Sequence, residues 1–174
     1  ALDACKEAGV ERKTALAGMH KVKPDLGALI AWNLDLNGKN IQFINGMAAN
    51  DPVSTLQIWK FIMDRYPSES GTCVFFNSRD DRPSRTRQMI ELTLSDIKPD
   101  HFIVRGDKVS SSIERQRHLS PGTKVNVIGL DDPIELLIQL FDKMSNDTLV
   151  YAIGNQVGAG QEILELISTY RQHG

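Results

Sequence analysis

The chain has 174 residues, of which 41% are hydrophobic and 24% are charged, and its net charge is −2. This composition is typical of a globular protein with one complete core, and the near-neutral charge excludes a general attraction to nucleic acid or anionic membranes. Cys5 and Cys73 are too few for a disulfide framework, so we interpret both as reduced thiols and small core residues of a cytoplasmic protein.

The first residues predict two short helices and a linker. An apolar stripe at Leu2, Cys5 and Ala8 indicates the first helix, and residues 15–19 indicate the second. Residues 21–27 (KVKPDLG) contain a proline and a glycine that break helices, so we expect a linker there. Because the chain opens inside a helical pattern, we also expect that a natural N-terminal part precedes it.

From residue 28 onward, strand patterns alternate with helical ones. A strand pair joined by an Asn-Gly turn comes first, and a helix at 52–65 follows with Asn50 or Asp51 as its cap. The remaining predicted strands are, in order, TCVFFN, HFIVRG, KVNVIGL and TLVYAIGN. Each is followed by a predicted helix, and these helices are 84–95, 108–118, the amphipathic run DDPIELLIQLFDKM and 160–171. Such alternation predicts an α/β fold with a parallel, doubly wound sheet.

Ligands of such sheets bind beyond the carboxyl ends of the strands, so the segments that end strands are the candidate sites. Those segments are rich in Gly, Asn, Asp or Arg and comprise NGMAANDP (45–52), NSRDDRPSR (77–85), RGDK (105–108) and GNQVGAG (154–160). The four histidines show no metal-ligand spacing, so no metal site is predicted.

Each of these segments has a plain structural alternative. The glycine loop at 154–160 offers backbone N–H groups to an anion, but it matches neither the dinucleotide fingerprint nor a Walker A loop, and a tight turn explains it as well. The arginines at 79–87 suit phosphate or carboxylate, although a solvated charged loop would look the same. The Asn-Asp-Pro run at 50–52 is explained by helix capping alone.

Three runs, FINGMAANDPVSTLQIWK, VFFNSRDDRPSRTRQ and LVYAIGNQVGAGQEILELI, occur in this order. Together they resemble the C-terminal part of the ligase subunit of poly-γ-glutamate synthase, a capsule-polymer enzyme of the Mur ligase superfamily. The pattern NGxAANDxxSTLxIWK carries most of the specificity. Residues 1–27 are similar to the end of that family's central ATPase domain with its hinge, and residues 28–174 to its C-terminal domain. The resemblance implies a Rossmann-like, doubly wound, mostly parallel sheet of the Mur ligase C-terminal type.

The resemblance also implies an activity and a set of site residues. The family joins a carboxylate to an amine at the expense of ATP through an acyl phosphate, and its C-terminal domain closes over ATP and orients the incoming amino acid, here glutamate. No catalytic residue is assigned. The family's Asn-Asp motif beside the nucleotide falls on Asn50, Asp51 and Pro52, and its substrate or anion contacts fall on Arg79, Asp81, Arg82, Gly154 and Asn155.

ATP and Mg²⁺ are implied for the complete enzyme, with neither held by this chain alone. The implied partners are glutamate, the growing poly-γ-glutamate chain and the membrane-bound subunits of a capsule synthase, with self-association left open and no nucleic acid. The complete protein is expected at the inner face of the cell membrane.

The chain departs from the family at two places. Family members carry an arginine after the Pro-Asp-x-Gly stretch, and this arginine contacts a phosphate of ATP. Here Ala28, Leu29 and Ile30 follow the stretch, so this contact does not carry over. No G-x-x-x-x-G-K-[ST] motif is present, so we expect the isolated chain to be inactive. The alternative function is a non-catalytic module that binds a nucleotide or another anion, or that serves assembly.

Overall fold

A computed structural model of the protein describes residues 1–21, 29–49, 51–66, 70–106, 108–129 and 132–170. The strands are β1 (Ile30–Leu36), β2 (Lys39–Asn45), β3 (Thr72–Asn77), β4 (His101–Arg105), β5 (Lys124–Ile128) and β6 (Thr148–Gly154). The helices are α1 (Leu2–Glu7), α2 (Arg12–Lys21), α3 (Pro52–Arg65), α4 (Pro83–Leu92), α5 (Ser110–Gln116), α6 (Pro133–Asp142) and α7 (Ala159–Thr169).

The predicted strand pair is an antiparallel hairpin of β1 and β2. Its two-residue turn places Asn37 at φ 54° and Gly38 at φ 79°, and the N–H of Gly38 donates to Oδ1 of Asp35 at 3.2 Å. Two consecutive left-handed residues make the type I′ geometry that the Asn-Gly pair favours. The predicted turn is therefore confirmed.

One six-stranded sheet runs in the order β1-β2-β6-β3-β4-β5. Only β1 is antiparallel to its neighbour, and it lies at an edge, so the predicted α/β, doubly wound, mostly parallel fold is confirmed. Successive side chains of a strand point to opposite faces, which gives two cores. Phe75 and Val150 pack with α6 and α7 on one face, whereas Val74 and Tyr151 pack with α3, α4 and α5 on the other.

Several details differ from the predictions. The helix expected over 84–95 begins at Pro83 and passes into a π-helical segment, Thr93–Ile97, which ends where Lys98 adopts a left-handed φ of 50° and donates its N–H to the carbonyl of Thr93. The helix expected from 108 begins only at Ser110. Cys73 is fully buried as expected, but Cys5 is only half-buried because α1 has no buried residue.

The proposed domain boundary between residues 27 and 28, with the hinge residue Ala28, lies outside the described residues. Leu29 is exposed, and Ile30 is the first residue of β1. Among the residues that the structure describes, none of the helices has both the length and the apolar character needed to cross a membrane.

Candidate functional site

The carboxyl ends of β2, β6, β3 and β4 lie next to one another at one edge of the sheet. Backbone hydrogen bonds extend beyond the strands there: the N–H of Gly46 donates to the carbonyl of Ala152 at 2.8 Å, and the N–H of Ser78 donates to that of Arg105 at 3.0 Å. The structure thus brings together the described residues of the four candidate segments, which are 45–52, 77–85, 105–108 and 154–160.

Asp51 caps α3 as predicted. Its backbone is extended, and its carboxylate accepts the N–H of Ser54 at 2.9 Å, with Pro52 in the first turn of the helix. Hydrogen bonds from the backbone and side chain of Ser54 lower the pKa of Asp51, and the nearby charge of Arg85 adds to this effect. The cap of α3 therefore lies within electrostatic range of the first turn of α4. Asn50, the other predicted nucleotide contact, lies outside the described residues.

Arg79 and Asp81 form a two-point ion pair. Nε of Arg79 donates to Oδ1 of Asp81 at 2.8 Å, and Nη2 donates to Oδ2 at 2.6 Å. This pairing raises the pKa of Arg79 and lowers that of Asp81. Because the side chains are 35% and 58% exposed, the pair adds little stability, and we interpret it as fixing the position of the Arg79 fork.

Arg82 differs from Arg79. It is the residue before α4 and does not cap that helix with its side chain. Within the described part of the chain, its guanidinium donates no hydrogen bond, although the carboxylate of Asp81 lies within electrostatic range. One arginine of the loop is therefore held by a carboxylate, while another keeps its donors available.

These arginines line a small pocket of about 30 Å³, which we call the arginine pocket. Its walls also include the glycine turn after β6 and the first turn of α4. The lining residues are Phe76, Asn77, Arg79, Arg82, Arg85, Thr86, Met89, Gly154 and Asn155. The pocket brings five charged or polar groups of two candidate segments into contact with one space, but by its size it would take a single phosphoryl or carboxylate group and not a whole nucleotide.

The turn after β6 needs its glycines for two different reasons. Gly154 has φ 98°, and a Cβ there would lie 2.4 Å from the carbonyl oxygen of Asn77. Gly158 has φ 74° but open space around it, and it is the residue before α7. The N–H of Asn155 donates to the carbonyl of Asn77 at 2.8 Å, so the turn is tied to the end of β3. Backbone N–H groups at the start of α7 therefore face the same edge as the arginines.

Sequence reasoning missed two residues of this site. Asn77 is buried beneath the pocket, and its side chain bonds to residues of two other segments. Its position as the last residue of a buried strand was the available signal, because a polar side chain there must find partners. Arg85 is the second such residue, since the sequence indicated it only as one of the arginines at 79–87. Its proximity to Asp51 depends on how α3 and α4 pack, and that packing cannot be predicted from sequence spacing.

A larger cavity, of about 320 Å³, lies away from these strand ends. It runs along α6 beside the edge strand β1 and includes the exposed apolar side chains Ile134 and Ile138. Its described lining residues include no arginine, whereas three arginines line the arginine pocket, so we place the candidate site there despite the smaller volume.

Comparison with known proteins gives one family. The model of the poly-gamma-glutamate synthase CapB C-terminal domain matches residues 32–170. The chain is 30% identical over 173 residues to PGA synthase CapB of Bacillus subtilis strain 168, covering 98% of this chain and 44% of that protein. It is 31% identical over 170 residues to the capsule biosynthesis protein CapB of Bacillus anthracis, covering 96% and 36%. The chain thus spans less than half the length of these relatives.

Solved structures show the same fold. MurF from Acinetobacter baumannii matches with a TM-score of 0.59 at 14% identity, over 91% of this chain and 35% of that one. The UDP-N-acetylmuramate-alanine ligase MurC from Thermotoga maritima matches with a TM-score of 0.55 at 13% identity, over 97% and 36%.

Proposed function

Because the chain belongs to the family of poly-gamma-glutamate synthase CapB C-terminal domains and has the fold found in Mur ligases, we propose that it is the part of an ATP-dependent amide ligase that closes over ATP and orients the incoming amino acid. In the reaction proposed, a carboxylate oxygen of the substrate attacks the γ-phosphorus of ATP, the bond to the β–γ bridging oxygen breaks, and ADP leaves an acyl phosphate behind. The amine of the incoming glutamate then attacks the acyl carbon, and inorganic phosphate leaves.

The observation that carries this proposal is the convergence at the arginine pocket. Arg82 keeps its donors available beside the start of α4, and the Gly154–Asn155 turn leads into the N-terminus of α7. Guanidinium groups and helix N-termini both stabilise anions, so a phosphoryl or carboxylate group is the ligand that fits. Arg79, held by Asp81, offers a second fork whose position is already fixed.

The small volume of the pocket fits a shared site. A pocket of about 30 Å³ leaves most of a nucleotide outside it. A second surface that faces the pocket must therefore enclose the rest of the nucleotide. Closure of the two surfaces would position the amine and exclude water from the acyl phosphate. Among the described residues, no group of three His, Cys, Asp or Glu side chains is placed to hold a metal ion. As the family resemblance implies, we assign the Mg²⁺ that accompanies ATP to ligands in the rest of the ligase.

Asp51 and Pro52 have a different part in the proposal. The cap orients the start of α3 toward the same edge, which suits the nucleotide side of the site. The description of the matching family, poly-gamma-glutamate synthase, supports glutamate as the amino acid joined and poly-γ-glutamate as the polymer made. Membrane-bound partners, self-association and a place at the inner face of the membrane stay predictions from the resemblance.

The test is Arg82→Lys in the complete ligase, with Arg87→Lys as the matched control. Lysine keeps the charge but loses the planar fork. Arg87 is exposed on α4 and does not line the pocket. We expect Arg82→Lys to lower glutamate ligation by about 10- to 100-fold, the loss expected for one charge-assisted hydrogen bond, with the melting temperature unchanged. The 174-residue chain alone should show no turnover.

Two results would contradict the proposal. Wild-type ligation by Arg82→Lys would reduce the arginine loop to a solvated surface. Binding of ATP without any ligation in the complete protein would favour the non-catalytic module.

A further inference from the structure

Asn77 is the last residue of β3, and it is 1% exposed. Its Nδ2 donates to the carbonyl of Asn155 at 2.6 Å, and its Oδ1 accepts from Nη1 of Arg105 at 3.3 Å. Its own carbonyl accepts the N–H of Asn155 at 2.8 Å. A single buried residue therefore bonds to the segment after β6 and to the end of β4.

The neighbouring residue strengthens the same junction. Ser78 donates both its N–H, at 3.0 Å, and its Oγ, at 2.7 Å, to the carbonyl of Arg105. The close fit leaves no room for larger side chains: a Cβ at Gly106 would lie 2.0 Å from Oγ of Ser78, and a Cβ at Gly160 would lie 2.3 Å from the carbonyl oxygen of Asn155 and 2.8 Å from Nδ2 of Asn77.

We propose that Asn77 is a positioning residue, which holds the loop after β6 and the Arg105 side chain in place so that the arginine pocket is formed before a ligand arrives. The amide provides a donor on one atom for the Asn155 carbonyl and an acceptor on the other for the guanidinium. Preformed sites bind better because no ordering remains to be done on binding. This inference rests on the proposed function only in taking the pocket to be an anion site.

The first variant is Asn77→Asp, which has nearly the same shape. Its second oxygen cannot donate to the Asn155 carbonyl, and its charge is negative below a pocket meant for anions. The second variant, Gly160→Ala, leaves Asn77 intact but places a methyl group between Nδ2 of Asn77 and the carbonyl oxygen of Asn155. The control is Thr123→Val, which removes the buried hydrogen bond from Oγ1 of Thr123 to the carbonyl of Pro99 at 2.6 Å. Both residues precede the starts of β4 and β5, at the edge of the sheet opposite the pocket.

The measurements are amide hydrogen exchange by NMR and titration with inorganic pyrophosphate on the 174-residue chain. In wild type, the amide signals of Gly154 and Asn155 should shift saturably with pyrophosphate. Asn77→Asp and Gly160→Ala should each speed exchange at Asn155 and weaken pyrophosphate binding by about tenfold, the loss expected when one hydrogen bond to the ligand is no longer well placed. Thr123→Val should leave both readings as in wild type while lowering the unfolding midpoint.

The two proposals fail in different ways. Wild-type exchange at Asn155 and wild-type pyrophosphate affinity in folded Asn77→Asp would overturn the positioning role, whatever the ligase assay shows. The positioning role would also be overturned if Thr123→Val weakened pyrophosphate binding as much as Asn77→Asp does, because general loss of stability would then explain the effect. Faster exchange with weaker binding, together with wild-type ligation by Arg82→Lys, would instead support the role of Asn77 and refute the ligase site.

Discussion

Replacement of Gly154 by alanine tests the geometry at the centre of the site. The backbone there has φ 98°, which costs a residue with a side chain about 1–2 kcal/mol. The new Cβ would also lie 2.4 Å from the Asn77 carbonyl oxygen and 2.7 Å from the Phe76 ring. Both atoms belong to the central strand β3 and have little freedom to move, so an overpacking term of about 1–3 kcal/mol adds to the first. We expect a total loss of about 2–5 kcal/mol, the sum of these two terms.

The matched control is Gly158→Ala in the same turn. Gly158 has φ 74° but nothing within 4 Å of the added Cβ, so only the backbone term of about 1–2 kcal/mol applies. Equilibrium urea unfolding of both variants gives the two free energies. In thermal unfolding, Gly154→Ala should lower the midpoint by about 4–20 °C, at the 2–4 °C per kcal/mol typical of chains this long. Equal losses in the two variants would refute the claim that close approach to β3 is what requires Gly154.

Two further predictions concern buried groups outside the pocket. Tyr151→Phe removes the hydrogen bond from the tyrosine hydroxyl to the carbonyl of Thr55 at 3.2 Å but keeps the ring stacked on Trp59. Urea unfolding should therefore show a free energy of unfolding that is lower by about 0.5–1.5 kcal/mol. An unchanged free energy of unfolding would show that the hydroxyl is not bonded. Burial, with the charge of Lys124, lowers the pKa of His101, and its Nδ1 is buried without a partner among the described residues. The unfolded chain therefore binds a proton more readily, and stability should fall as the pH drops below about 6.5, the ordinary pKa of histidine. In His101→Gln, the free energy of unfolding should fall less between pH 7 and pH 5 than it does in wild type. An equal fall in the two proteins would contradict this role of His101.

Local chemistry made most of the fold predictable. The Asn-Gly turn fixed the hairpin, the Asp51-Pro52 pair fixed the start of α3, and continuous apolar runs such as TCVFFN indicated strands buried on both faces. Strand order was a different matter. β6 is the last strand in sequence, yet it lies between β2 and β3 in the sheet, and no local sequence pattern predicts this position.

The site was predictable only as segments. The rule that ligands lie beyond the carboxyl ends of strands selected the right edge. It could not show that Asp81 pairs with Arg79 and not with Arg82, since both arginines lie within two residues of it in sequence. Nor could it show that Asn77 bonds to Asn155, because that contact joins residues 78 positions apart. Such contacts follow from strand order, which had to come from the structure.

The distribution of charge at this edge argues against a purely structural loop. In a loop selected for stability alone, each guanidinium near a helix N-terminus would gain from a carboxylate partner, because the positive ends of α4 and α7 already repel it. Arg79 has such a partner in Asp81, whereas Arg82, the residue before α4, donates no side-chain hydrogen bond to a carboxylate among the described residues. Water solvates the exposed guanidinium of Arg82, but an anion that enters the pocket would gain charge-assisted hydrogen bonds from its donors. A transferred phosphoryl group or a substrate carboxylate, held in place by closure of the rest of the ligase, would supply that charge.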